Sequence, residues 1–172
     1  MKPCTIFSNY GRLKWADGFT VVELLVVIAI MAIFSSLSVW GFSSWKARYG
    51  VESATKEIYA TLMKARNDAS TTNTPYLVTF AAHSVQAGPD ADGDGNIDGT
   101  PITLDYSTYT VNFALTPISF DRRGLADTGG VDNQTISITS SASGINPAVD
   151  CIVVSATRIN LGKMTGGACV QQ

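Results

Sequence analysis

The chain changes period along its length. From Phe19 to Phe42 the run FTVVELLVVIAIMAIFSSLSVWGF carries one charged side chain, Glu23, and is long enough to cross a hydrocarbon core of about 30 Å as a helix. The pattern predicts a spanning segment over 19–42. From Ser43 the apolar positions Ala47, Val51, Ala54, Ile58, Leu62, Ala65 and Ala69 recur at three or four residues, which predicts an amphipathic helix with one stripe packed on a folded head. Trp40, Gly41, Gly50 and several serines interrupt the join. A glycine inside a helix costs about 1 kcal/mol relative to alanine, so a local bend or melting is expected there.

The helical period stops at Thr71-Thr72-Asn73-Thr74-Pro75, because proline disfavours helical geometry in the residue before it and donates no backbone hydrogen bond. Short runs rich in Val, Ile, Thr and aromatics follow at Tyr76 to Ala81, Ile102 to Asp105, Tyr109 to Leu115 and Ile118 to Phe120. They continue at Thr135 to Ser140, Cys151 to Ser155 and Arg158 to Leu161. Gly, Pro, Asn and Asp punctuate them, as strands require. The expectation is an α+β chain with a long N-terminal helix and an antiparallel head, folded over the amphipathic half-helix or set beside it as a small sandwich. No internal repeat or long linker interrupts it. The divisions expected are a leader over 1–18, the apolar helix over 19–42, the amphipathic helix over 43–74 and a β-rich head over 75–172.

Composition adds to this picture in a few places. A chain of 172 residues with 45% hydrophobic and 15% charged residues and a mean hydropathy of +0.15 is apolar for one modest domain, and the excess sits in 19–42. The formal net charge of -2, with no block of Lys and Arg, gives no global reason for tight, nonspecific nucleic-acid binding. Of the three cysteines, Cys4 lies in the leader. Cys151 and Cys169 remain as an even pair that an exported domain could oxidise, with two free buried thiols as the alternative.

Lys2, Arg12 and Lys14, against Asp17, precede the apolar run, so this end is expected in the cytoplasm and the rest outside it. A secretory signal carries its small-residue cleavage site after a shorter apolar core, whereas the processing signal here, Gly18-Phe19, stands before the run. Cutting at Gly18 would keep the anchor, and a glycine leaves room for the backbone to enter a peptidase site. Glu23 needs a partner, because an ionised side chain at depth in a membrane costs a few kcal/mol. A plainer reading puts it in the first turn of its own helix, where a negative charge gains about 0.3 to 1 kcal/mol from the dipole.

The segment Gly18-Phe19-Thr20-Val21-Val22-Glu23-Leu24-Leu25-Val26-Val27-Ile28-Ala29-Ile30 resembles the class III signal of type IV prepilins and type II secretion pseudopilins. The resemblance implies that a membrane aspartyl peptidase cuts after Gly18 and methylates the new amine of Phe19, the chain being substrate and not catalyst. It implies too that Glu23 of one subunit pairs with that amine of a neighbour and sets the register of a filament. The implied partners are other pilin or pseudopilin subunits, the prepilin peptidase and an inner-membrane assembly platform. The implied location is a single-pass inner-membrane precursor with its head outside the cytoplasm.

The head resembles the GspH/FimT group of minor pilins through Ile118-Ser119-Phe120-Asp121-Arg122-Arg123-Gly124 and the closing pair Ile152-Val153-Val154-Ser155 and Arg158-Ile159-Asn160-Leu161. It departs from that group at Ala156-Thr157-Arg158, where many members have a glycine-arginine turn, and in an anchor without proline. The implied function is a minor pilin or pseudopilin, a structural and assembly subunit of a type IV pilus or type II secretion pseudopilus. Some FimT-like members are associated with DNA uptake through basic residues near the C-terminal turn. Arg158 and Lys163, with Arg122 and Arg123 as a second basic spot, therefore carry an alternative reading as a DNA-binding minor pilin of competence. A third class, an anchored calcium-binding protein that never polymerises, also stands open.

In the head, Asp90-Ala91-Asp92-Gly93-Asp94-Gly95-Asn96-Ile97-Asp98 resembles a calcium loop, with carboxylates at alternate positions and glycine for a sharp turn. Asp90, Asp92, Asp94, the Asn96 backbone and Asp98 could supply most of the six to eight oxygens that Ca2+ takes. Pro101 stands where an EF-hand has its bidentate glutamate, so a shorter structural loop is expected. The alternative, a solvated acidic turn, leaves crowded carboxylates repelling one another without a cation. His83, the lone histidine, has no nucleophile motif around it, and no phosphate-cradling loop, zinc spacing or catalytic triad pattern is present. No enzyme is expected.

Overall fold

The computed structural model describes residues 19–114, 117–130, 132–142 and 144–172; the expected leader, with Cys4 and Gly18, lies outside them. The chain divides into two units, one ending at Val39 and the other beginning at Trp40. The backbone of α1 (Val21–Thr72) is helical without interruption, so the melting expected at Trp40, Gly41 and Gly50 does not occur.

In the first unit, Thr20 caps the helix. Its Oγ1 accepts the Glu23 amide at 3.2 Å and its carbonyl accepts the Leu24 amide at 3.1 Å, satisfying N–H groups that a helix start leaves without partners. The large apolar side chains from Phe19 to Phe34 are exposed. Among the described residues, no helix is long and apolar enough to cross a membrane.

In the second unit, the helical stripe is buried as its period demands: Val51, Ala54, Ile58, Leu62, Ala65 and Ala69 are in the core, and Ala47 is half-buried. Thr55, also buried, donates its hydroxyl to the Val51 carbonyl at 2.8 Å, so no polar group is left unpaired on that face. The helix ends where Asn73 enters the left-handed region at φ 53°, a conformation asparagine adopts more readily than most residues.

The strands are β1 (Tyr76–Ala81), β2 (Ser84–Pro89), β3 (Ile102–Asp105), β4 (Tyr109–Phe113), β5 (Ile118–Phe120), β6 (Ala126–Asp127), β7 (Gln134–Ser140), β8 (Cys151–Val154), β9 (Ile159–Thr165) and β10 (Ala168–Gln171). They form two five-stranded antiparallel sheets, in the orders β3-β2-β1-β5-β6 and β10-β9-β8-β7-β4. Val78, Val85, Ile118 and Phe120 of the first sheet and Val111, Ile136, Ile152 and Val154 of the second join the helical stripe in one core.

Several boundaries differ from expectation. The run expected to reach Leu115 leaves the ladder after Phe113, and Leu115 lies outside the described residues. Ser155 and Arg158 belong to the turn between β8 and β9, where the Ser155 amide donates to the Arg158 carbonyl at 2.8 Å. Strands β2, β6 and β10 were not expected from residue type, and β9 runs on to Thr165 because β10 pairs with it from Gly162 to Thr165.

Candidate functional site

Among the sequence-expected processing and assembly residues, Gly18 lies outside the described residues. Phe19 is 81% exposed, and Glu23 sits exposed in the first turn of α1. Its carboxylate has no ion-pair partner among the described residues. An acid, an unpaired position and a surrounding exposed apolar face therefore coincide at this end of the helix.

The acidic loop follows β2 and is folded by its own carboxylates. Asp90 is buried, its amide donating to the Pro75 carbonyl at 2.8 Å, and its two oxygens accept the Gly93 and Gly95 amides at 2.9 and 3.3 Å. Asp98 returns to the start of the loop by accepting the Ala91 amide at 2.6 Å. The result is that Asp90, Asp92 and Asp98 bring carboxylate oxygens within 4.8 Å of one another, close enough for one cation to bridge. Asp94 is not drawn into that group. It accepts the Asn96 amide and side-chain nitrogen at 2.8 and 3.0 Å, contacts that hold its carboxyl below the usual carboxylate range. Of the five positions read from sequence, three converge while Asp94 and Asn96 pair with each other.

Cys151 and Cys169 form a disulfide. It joins β8 to β10 across the intervening β9, passing over Gly162, where a Cβ would lie 2.7 Å from the Cys169 sulfur and 2.6 Å from the Val170 carbonyl oxygen. Gly162 is thus the position on β9 that must lack a side chain for the bridge to close.

The basic residues are redistributed relative to the sequence reading. The Lys163 ammonium donates to Asn146 at 2.6 Å, and Arg158 is exposed in its turn. Arg66, which no motif in the sequence singled out, links the two basic turns. Its guanidinium donates to the Thr157 carbonyl at 2.8 Å, and with Met63, Asn67, Ser70, Arg123 and Gly124 it lines a cleft of about 280 Å³. The facing turn is built by Asp121, whose carboxylate accepts the Arg123 and Leu125 amides at 2.8 Å each and the Arg123 Nε at 3.1 Å. The bond from Leu125 is the main cause holding the Asp121 carboxyl below its ordinary range.

A second feature had no signal in residue type. Lys46, Tyr49, Gly50, Glu57, Tyr106 and Tyr109 line part of a cleft of about 330 Å³. A Cβ on Gly50 would collide with the Tyr109 hydroxyl, so this glycine is the seat of a tyrosine from β4. Tyr106 donates to Glu57 at 3.3 Å; burial first, then the Glu57 carboxylate, pushes its phenol well above the usual tyrosine range. His83 contributes to the same end of the sheet structurally, with Nδ1 at 2.8 Å from the Tyr109 carbonyl oxygen.

The fold is similar to crystal structures of the type IV minor pilin FimU from Pseudomonas aeruginosa (strain PAO1) in two crystal forms. One superposes with a TM-score of 0.54 at 18% identity, covering 74% of this chain and 97% of that one. The other gives 0.52 at 20%, covering 70% and 97%. No curated protein matches the sequence. The prokaryotic N-terminal methylation motif matches residues 16–39, a span that includes Gly18, Phe19 and Glu23, and marks an exported component of a pilus or pseudopilus. The helix, antiparallel head and motif together define a pilin-type structural subunit of a type IV pilus or type II secretion pseudopilus. The model of the family described as type II transport protein GspH matches residues 54–157, and the chain belongs to that family.

Proposed function

We propose that the chain is made as a single-pass inner-membrane precursor, cut after Gly18 by a prepilin peptidase and methylated at Phe19. The mature subunit is then drawn by an assembly platform into a filament. In this reading 1–18 is the leader, 19–42 the membrane and later filament-core segment, 43–74 the amphipathic helix and 75–172 the outward-facing head. The subunit works by assembly and interaction, without catalysis of its own. The observation that carries the reading is Glu23: an acid without an ion-pair partner among the described residues, set in an exposed apolar helix face four residues after the residue that cleavage would make an amino terminus. An amine brought to it by a neighbouring helix would neutralise its charge where water is excluded.

Mass spectrometry of the mature protein is expected to find a methylated Phe19 as first residue. Glu23→Ala is expected to be cut normally yet to enter filaments poorly. A mature protein that retains residues 1–18, or a Glu23→Ala subunit that assembles as well as the parent, contradicts the proposal.

Ca2+ is the cation that the acidic loop suits best, because Asp90, Asp92 and Asp98 offer converging hard carboxylate oxygens. Its role there would be structural, fixing the connection between β2 and β3. A second reading, DNA binding in competence, is favoured by the cleft that joins Arg66 to Arg123 and by the exposed Arg158 beside it. In that reading Arg158 and Lys163 carry the binding, with the Arg122–Arg123 turn as a second basic spot.

A further inference from the structure

Phe42, Trp45 and Tyr49 occupy successive turns of α1 and are 61%, 59% and 61% exposed. Their rings touch one another in a ladder, with centroids 6.0 Å apart for the first pair and 5.7 Å for the second, which is stacked. Large aromatic surfaces left in water forfeit the stabilisation their burial would bring, so this face is built for an environment other than the head's core.

The sequence indicates which environment. Residues 42–49 follow directly on the apolar run, and the charged side chains between Leu24 and Val51 are Lys46 and Arg48, both positive. Arg48 gives one nitrogen to Glu52 at 3.1 Å yet stays 51% exposed at its side chain, and Lys46 is exposed. Trp and Tyr concentrate at the headgroup level of a bilayer, where rings meet both chain and water, and basic side chains reach from there to lipid phosphates.

We infer that Phe42, Trp45 and Tyr49, with Lys46 and Arg48, form a collar that lies among anionic phospholipid headgroups on the outer face of the membrane and fixes the depth of the unassembled subunit. The inference rests on the reading of 19–42 as a membrane anchor. Its occupant is lipid, because the rings and both cations share one short segment at the end of the apolar run, and no acid stands between Glu23 and Glu52 along the chain.

The test uses the full chain in vesicles of phosphatidylglycerol and phosphatidylethanolamine, with Trp45 as sole tryptophan through Trp15→Phe and Trp40→Phe. A headgroup-attached quencher is compared with lipids brominated deep in the acyl chain. Trp45 fluorescence is expected to be quenched more by the headgroup label than by the deep one. Lys46→Gln with Arg48→Gln is expected to lose part of the headgroup quenching in these vesicles and none in phosphatidylcholine. A companion chain with Trp40 as sole tryptophan reports the anchor. If it is quenched by acyl-chain bromine while Trp45 is quenched by no lipid, the collar is wrong and the anchor stands; the rings then await a neighbouring subunit. If neither is quenched, the anchor reading fails and the collar with it. Headgroup quenching unchanged by the paired Gln variant overturns the assignment to anionic lipid.

Discussion

Gly50 illustrates what residue type conceals. Read from composition it is a weak point in a helix; in the structure it is the surface against which the Tyr109 hydroxyl packs. Alanine there would gain about 1 kcal/mol in helix propensity but crowd a filled contact, which costs about 1 to 3 kcal/mol. Gly50→Ala is therefore expected to lower the thermal midpoint of the protein, followed by circular dichroism, and to become neutral or stabilising in a Tyr109→Ala background. The acidic loop offers the complementary case, because its alternating spacing was legible while the division of labour within it was not. Asp90 and Asp98 spend bonds on loop amides and still face Asp92, whereas Asp94 turns to Asn96. Calorimetry with Ca2+ is expected to show binding that Asp92→Ala or Asp98→Ala weakens tenfold or more, on the order of 1.4 kcal/mol, and that Asp94→Ala leaves nearly intact. Equal losses from all three would restore the ligand set read from sequence.

Among the elements, the amphipathic part of α1 was legible because its burial depends on a period that each apolar position repeats. β1, β3 and β5 were legible through their Val, Ile, Leu and Phe content. β2 was not: Ser84-Val85-Gln86-Ala87-Gly88-Pro89 has few β-formers, and it is a strand because β1 and β3 hold it on both sides while Val85 and Ala87 reach the core. Ladder partners distant in sequence outweigh local propensity there. β10 is similar, a mostly exposed edge strand that owes its place to β9 and the disulfide. The helix and the loop before β8 are joined by Glu52, whose carboxylate accepts the Ala148 amide at 2.7 Å. That bond is the main cause holding the Glu52 carboxyl below the usual glutamate range. A carboxyl with a depressed folded pKa adds stability that is present above its unfolded pKa and lost as pH falls through the folded one. Denaturant unfolding between pH 6 and pH 3, within about two units of an ordinary glutamate pKa, is expected to show a shallower loss of stability for Glu52→Gln than for the parent. Equal slopes would remove Glu52 from the pH response.

At the scale of the molecule, the chain is slightly acidic, yet Arg66, Arg122, Arg123 and Arg158 are brought to neighbouring turns by α1, the β5–β6 connection and the β8–β9 turn. Sequence spacing set Arg122 with Arg123 and Arg158 with Lys163 and left Arg66 out, because Arg66 lies far from both turns along the chain and only the packing of the helix brings it between them. If DNA binds, Arg122→Ala with Arg158→Ala is expected to weaken it in a filter or anisotropy assay and to flatten its salt dependence by about two phosphate contacts. No salt-sensitive binding by the parent in detergent would dispose of the DNA reading.

The bridge from Cys151 to Cys169 closes residues 151–169, from β8 through β9 to the start of β10, into one covalent loop. Such closure needs an oxidising compartment, so the final strand can be locked only after export. Without the bridge, β10 would be tied to the sheet by its ladder with β9 and would have no covalent link to β8.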